Sequence, residues 1–288
     1  MDGNGHLLGD TCMSDPDLQV NCEISGTPLE DLCSNPPNNA IIGTNDDDII
    51  NGTSGNDVIL GKGGNDTING LGGNDVICGG SGNDIINGGA GDDFIQGDDG
   101  SDTIHGNDGN DNIRGDAGND NLYGDDGNDI VEGGSGADYI EGGASVDEVI
   151  GGNGSDILHG NDGNDRVYGN SGDDKLYGEG GDDKLLGAEG DDELYGGDGD
   201  DTLYGKDGND KLYGEGGADR LFGDGPGDSG NDKLYGGDGD DTALNSIDGV
   251  VNNDYIDGGD GNDNCSSDPD PEINCEPGGS SIEDSDPC

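Results

Sequence analysis

An aspartate returns every nine residues through most of this chain. Asp48, Asp57, Asp66, Asp75, Asp84, Asp93, Asp102, Asp111, Asp120, Asp129, Asp138, Asp147, Asp156, Asp165, Asp174, Asp183, Asp192, Asp201, Asp210 and Asp219 share one phase, and Asp232, Asp241, Asp254 and Asp263 carry it on after small slips. A carboxylate at a fixed period is a row of hard anionic oxygens, the ligand type that inorganic cations of the alkaline-earth kind prefer. Glycine surrounds each one. In the twenty nine-residue copies from Gly43 to Phe222, position one is always glycine, position four is glycine except at Asp46 and Ser145, and position six is the aspartate. Glycine at one and four fits a tight turn, where φ > 0 or close backbone approach aims carbonyl oxygens at one spot.

The composition agrees with a cationic partner. Nine basic residues stand against 68 acidic ones, a formal net charge of −59. That excludes nucleic acid, whose phosphates need a cationic surface. With 26% hydrophobic residues and 65 glycines, the chain cannot bury enough apolar surface to offset its ordering entropy unaided. No stretch is long and apolar enough to span a membrane. Met1-Asp2-Gly3-Asn4 lacks the basic and apolar regions of a signal peptide, so a mature product or a fragment is expected. The only histidines are His6, His105 and His159, and neither H-E-x-x-H nor G-x-S-x-G occurs. The G-x-G-x-x-G spelled by residues 225 to 230 lies in no strand-to-helix context, so no enzyme activity is expected.

Turns of this kind must be held by elements that repeat with them. Position eight is always Ile, Leu or Val, from Ile50 and Ile59 to Leu212 and Leu221, which marks one inward-facing residue per copy. The residues on either side of it are expected to face outward. In the second half, position nine turns aromatic at Tyr168, Tyr177, Tyr195, Tyr204, Tyr213, Phe222 and Tyr235. Position seven turns basic at Arg166, Lys175, Lys184, Lys211, Arg220 and Lys233.

The whole pattern resembles the G-G-x-G-x-D-x-U-x nonapeptide of the repeats-in-toxin (RTX) family. The resemblance covers about two thirds of the chain. It implies an all-β fold, a right-handed parallel β-roll of about 20 to 24 nonapeptides, with six residues of each copy in a turn, three in a strand, and two copies per coil. It also implies Ca2+ as the ion, which takes about 6 to 8 oxygen ligands at about 2.3 to 2.6 Å. Copies eighteen residues apart then stack, placing Asp57 over Asp75 about 4.8 Å away. Two such carboxylates repel by about 3 kcal/mol at an effective dielectric near 20, and a divalent ion between them reverses the sign. Every site is completed by the next coil, so folding and ion uptake are expected to be one event, with roughly 18 ions or more. Tyr177, Tyr195 and Tyr213 are expected to stack as one ladder, and Tyr168, Leu186, Tyr204 and Phe222 as the other. This Tyr/Lys face is either a rung-pairing surface or a contact for a glycan or cell surface.

Four regions follow: an N-terminal cysteine-containing cap or linker over 1–42, the uninterrupted roll over 43–222, a roll with two four-residue insertions over 223–264, and a C-terminal cysteine-containing cap over 265–288. The two caps resemble each other. CMSDPDLQVNCE at 12–23 and CSSDPDPEINCE at 265–276 are near copies, and a further cysteine, Cys33 or Cys288, follows each. Pairs Cys12 to Cys22 and Cys265 to Cys275 are expected to close the ends, leaving Cys33 and Cys288 either as bridges for head-to-tail self-association or to find partners within the chain. Cys78, at an outward position, is expected to be free or intermolecular. Disulfides imply an oxidising, extracellular setting for a secreted protein. The expectation is an extracellular calcium-binding structural protein, a subunit of a fibre, array or adhesive matrix. The alternative is a non-catalytic module of a larger secreted enzyme or toxin.

Overall fold

The computed structural model describes residues 23–24, 27–223, 230–246, 255–261 and 263–267. Two parallel sheets dominate it. One holds 13 strands from Ile41–Ile42 to Asn264–Ser267, the other 12 strands from Ile49–Asn51 to Tyr255–Asp260, and consecutive strands alternate between them. The chain is therefore a parallel β-roll with two nonapeptides per coil. Register follows the period: Ile104 pairs Ile86 and Leu122, and Tyr195 pairs Tyr177 and Tyr213. After Phe222 the spacing in the 12-stranded sheet becomes 22 residues, with Tyr213 opposite Tyr235 and Leu234 opposite Ile256. In the 13-stranded sheet Phe222 faces Asn245 and the register slips between Thr242 and Leu244, so the insertions leave the first sheet in register and put an irregularity in the second.

The core is one row of aliphatics from each sheet. Position-eight residues from Ile59 to Leu234, and Ile256 beyond, are fully buried in a single cluster. Each contributes about 1.5 to 3 kcal/mol of burial, enough for a thin seam that cannot offset the ordering of the long turns around it.

The division of each copy differs from the expected six turn residues and three strand residues. Ladder pairing runs over six, positions seven to three of the next copy, as in Val58–Gly63 and Lys175–Gly180. The reason is that the turns stack as well. The Gly64 N–H donates to the Ser81 carbonyl and the Thr67 N–H to the Asp48 carbonyl, and the same two bonds recur from coil to coil. A turn copied at the strand spacing satisfies its backbone groups from its neighbours, as a strand does.

The glycines are also used differently from expectation. Position four has positive φ in most coils, as at Gly64 (106°) and Gly127 (151°). Position one does not, and is glycine for space. A Cβ on Gly61 would collide with Asp66 Oδ2 and lie 2.5 Å from the Gly79 carbonyl oxygen. The second left-handed position is position two, whose φ is positive in every copy from Lys62 to Glu215, glycine or not.

At the N-terminal end, a short helix α1 (Leu29–Ser34) lies against the outer face of the 13-stranded sheet. Leu29, Leu32 and Cys33 cover Val58, Leu60, Val76, Cys78 and Phe94 there. Cys33 and Cys78 are disulfide-bonded. This corrects the expectation for Cys78, which does sit on the outward face, yet is buried and bonded within the chain; of the two roles open to Cys33, pairing within the chain holds, and it is not available to bridge two units. Cys12, Cys22, Cys275 and Cys288, and the side chain of Cys265, lie outside the described residues, as does Asp254.

Candidate metal centre

The position-six aspartates point inward at the corners of the roll. From Asp66 to Asp241 every one of them that the structure describes is essentially buried. Their Oδ1 atoms have a common partner: the backbone N–H of the aspartate one coil earlier, as Asp57 N–H to Asp75 Oδ1 at 2.8 Å and Asp111 N–H to Asp129 Oδ1 at 2.6 Å. Asp57 does sit over Asp75, and after the insertions the bond spans 22 residues, from Asp219 N–H to Asp241 Oδ1 at 2.9 Å.

The other oxygen is left over. Every nine residues from Asp66 to Asp201, and again at Asp219, Asp241 and Asp263, Oδ2 is buried with no hydrogen-bond partner. A buried anion without a partner is costly, and the carboxyl groups register it. Burial pushes Asp75 up to about 6, Asp93 and Asp102 to about 7, and Asp111 and Asp147 to about 8. Like-charged neighbours add to the effect, and the backbone N–H on Oδ1 opposes it.

In most coils the spare oxygen sits beside a backbone carbonyl. Asp66 Oδ2 and the Gly79 carbonyl crowd the same side of Gly61, and Asp102 Oδ2 and the Gly115 carbonyl the same side of Gly97. Among the described residues no three His, Cys, Asp or Glu side chains converge. A cation here would thus draw on one or two carboxylates plus carbonyls, a donor set of hard oxygens alone. The residues present fit Ca2+.

The first two copies are built differently. Asp48 Oδ2 accepts from the backbone N–H of Thr44 at 2.6 Å and its hydroxyl at 2.8 Å, and Asp57 Oδ2 accepts from Thr53 in the same way, at 2.6 and 2.9 Å. The Thr44 bonds hold the Asp48 carboxyl below the usual carboxylate range. A β-branched residue at position two avoids the left-handed turn, and the turn it makes instead spends the aspartate on itself. The period alone does not separate these two aspartates from the rest; threonine at position two does.

Position five was missed by sequence reasoning. Its Asn and Asp side chains form a second ladder, in which the N–H of one coil donates to the Oδ1 of the coil before it. Asn83 to Asn65 at 2.8 Å and Asn128 to Asn110 at 2.9 Å are examples. The ladder runs opposite in direction to that of position six and ties the turn's outer edge. The signal was the Asn or Asp that precedes most of the repeated aspartates.

The outward faces match their expected rungs. Tyr177, Tyr195 and Tyr213 stack with ring centroids 5.0 and 4.7 Å apart, and Tyr204 stacks on Phe222 at 4.9 Å. Lys175 and Lys211 both pair with Glu193 beside the first ladder, at 3.1 and 2.6 Å. The ladder is longer than tyrosine alone suggested: His105 stacks on Tyr123 at 4.4 Å and His159 on Tyr177 at 4.6 Å. Both histidines share position nine with the tyrosines, six copies apart, and so fall on the same sheet.

Residues 42 to 269 match, in successive blocks, the family described as the RTX calcium-binding nonapeptide repeat. No curated protein matches the chain. Among the described residues, no helix is long and apolar enough to cross a membrane.

Proposed function

Because the chain belongs to the RTX calcium-binding nonapeptide family, we propose that the aspartates from Asp66 onward are its calcium ligands and that the roll forms as the ions are taken up. The observation that carries this is the run of buried, partnerless Oδ2 atoms that recurs every nine residues from Asp66 to Asp201 and again at Asp219, Asp241 and Asp263. Ca2+, when bound, supplies the positive charge these oxygens lack. The chain's own residues do the rest: Oδ1 of each aspartate grips the coil before it, glycine at position one leaves room for Oδ2, and glycine at position four lets successive turns close on each other. Asp48 and Asp57 act as turn caps that start the stack. No half-site holds an ion well without its neighbour, so binding and folding are coupled along the axis.

The setting is extracellular and the role structural, a stiff calcium-built rod within a fibre, array or adhesive matrix. The Cys33 to Cys78 disulfide supports an oxidising compartment. Units stacking head to tail would do so without Cys33. Far-UV circular dichroism and calcium counting by equilibrium dialysis test the core of this reading. A disordered chain in chelator, a cooperative gain of β signal with calcium, and roughly 18 ions or more bound are expected. Identical spectra in chelator and calcium would overturn it.

A further inference from the structure

The 12-stranded sheet carries an unbroken column of nine rings on its outer face. In order they are His105, Tyr123, Tyr139, His159, Tyr177, Tyr195, Tyr213, Tyr235 and Tyr255, each within 6.2 Å of the next. Its middle is the most regular part. Tyr177, Tyr195, Tyr213 and Tyr235 stand directly opposite one another in register. Their centroids are 5.0, 4.7 and 4.9 Å apart and their planes lie within 7° of parallel. Ring faces are thus covered by other rings, and a glycan meets edges and hydroxyls rather than open faces on which a sugar could stack. The chemistry this leaves is that of phenols held against phenols.

We propose that this column is an oxidative modification site, at which adjacent tyrosines are coupled to dityrosine by hydrogen peroxide acting through a haem peroxidase, stapling successive coils. The oxidant takes one electron from each of two phenols, and each phenolic proton leaves to water. The two phenoxyl radicals join by one carbon–carbon bond between the ring positions ortho to oxygen. Each of those carbons then loses its hydrogen as a proton, restoring the two aromatic rings and their hydroxyls. Two C–H bonds are broken, one C–C bond is made, and one peroxide is reduced to two waters. Radical coupling requires two phenols to meet before either radical is quenched, and parallel in-register strands hold them in contact permanently. In an unfolded chain, tyrosines eighteen residues apart meet only through loop closure. The outward rings turn about χ2, a broad torsion, to bring their ortho edges together.

The other sheet is an internal control. There the column reads Tyr168, Leu186, Tyr204 and Phe222, so neither Tyr168 nor Tyr204 has a phenol directly above or below it. Coupling that follows the stack must leave these two out.

The inference rests on calcium-coupled folding, since calcium is what assembles the column. Full-length protein is treated with a haem peroxidase and hydrogen peroxide, at low concentration, in calcium and in chelator. Dityrosine is read by its fluorescence and by mass spectrometry of linked peptides from the monomer. Expected are links of Tyr177 to Tyr195, Tyr195 to Tyr213 and Tyr213 to Tyr235, several-fold more abundant in calcium, and β signal that survives later chelation. Tyr195→Phe keeps the stacked ring but removes the central phenol, so the first two links disappear while calcium-dependent folding is unchanged. Links made equally in chelator, links to Tyr168 or Tyr204 as often as to the column, or links between chains only would each overturn the proposal. A chain that gains β signal with calcium yet yields no intrachain dityrosine overturns this inference and leaves the folding reading standing. A chain that gains none overturns the folding reading, and this one with it.

Discussion

Leu71 has a φ of 81° and is largely exposed, so it holds a left-handed turn that nothing about leucine favours. Such a conformation costs a non-glycine residue about 1 to 2 kcal/mol, against about 0.5 to 1 kcal/mol of extra chain entropy for glycine. Leu71→Gly is therefore expected to stabilise the calcium-loaded roll by a few tenths to about 1 kcal/mol, measured by denaturant unfolding. Gly115→Ala does the reverse, because its Cβ would meet Asp120 Oδ2 and the Gly133 carbonyl at 2.7 Å; loss of β signal and of at least one ion is expected. Asp129→Ala should lower the ion count and the calcium cooperativity, whereas Asp57→Ala, which removes only a turn cap, should leave the count unchanged. Equal counts in the two variants would contradict the division between caps and ligands. The pH dependence has a definite sign. Burial raises the folded-state carboxyls to about 6 at Asp75, about 7 at Asp93 and about 8 at Asp111 and Asp147, from 3.8 when exposed. The metal-free roll binds more protons than the unfolded chain, so its stability is present near pH 4 and is lost as pH rises toward about 8. In chelator, dichroism should show β signal growing on acidification, and calcium affinity should weaken over the same range because each ion displaces protons. The aspartate at position six was legible because its chemistry and its period coincide. Position two was not, since a backbone angle fixed by stacking leaves no residue preference strong enough to read.

The strands were legible from position eight, where one aliphatic per copy admits only one inward phase. What escaped was the helix on the outside. Val58, Leu60, Val76, Cys78 and Phe94 place apolar side chains at outward positions of three alternate copies, the signature of a covered face, but the paired resemblance of the two cysteine-rich ends pointed instead to caps over the open ends. The covered face gives the N-terminal coils a clasp the rest lack. The Cys33 to Cys78 bond closes a separation of 45 residues, which by chain entropy stabilises by up to about 4 kcal/mol. A solenoid passes stability mainly between neighbours. Cys33→Ser is therefore expected to raise hydrogen exchange in the coils from Ile41 to about Gln96 and to leave the coils beyond Ile140 nearly unchanged. Exchange that rises uniformly along the chain would show instead that the roll unfolds as one unit.

At the scale of the whole molecule, the stack is a rod whose length is set by the number of rungs. Thirteen strands in the longer sheet at about 4.8 Å each make a body about 58 Å long. A rod of that length and a cross-section of two sheets has a radius of gyration of about 19 Å, close to what a compact chain of this size shows, whereas the unfolded chain would be near 60 Å. At a net charge of −59, self-repulsion extends the metal-free chain further, and bound calcium cuts the repulsion by more than half as it removes the chain's freedom. Small-angle X-ray scattering during a calcium titration should therefore show the radius fall about threefold, with the elongated distance distribution of a rod at the end point. Because each coil needs its neighbours, intermediate calcium should give a mixture of extended and rod-like chains rather than a gradual contraction. End-to-end stacking would appear as a second, concentration-dependent rise in length at saturating calcium. A radius that stays near the unfolded value when the carboxylates are saturated would mean that ion binding does not build the roll.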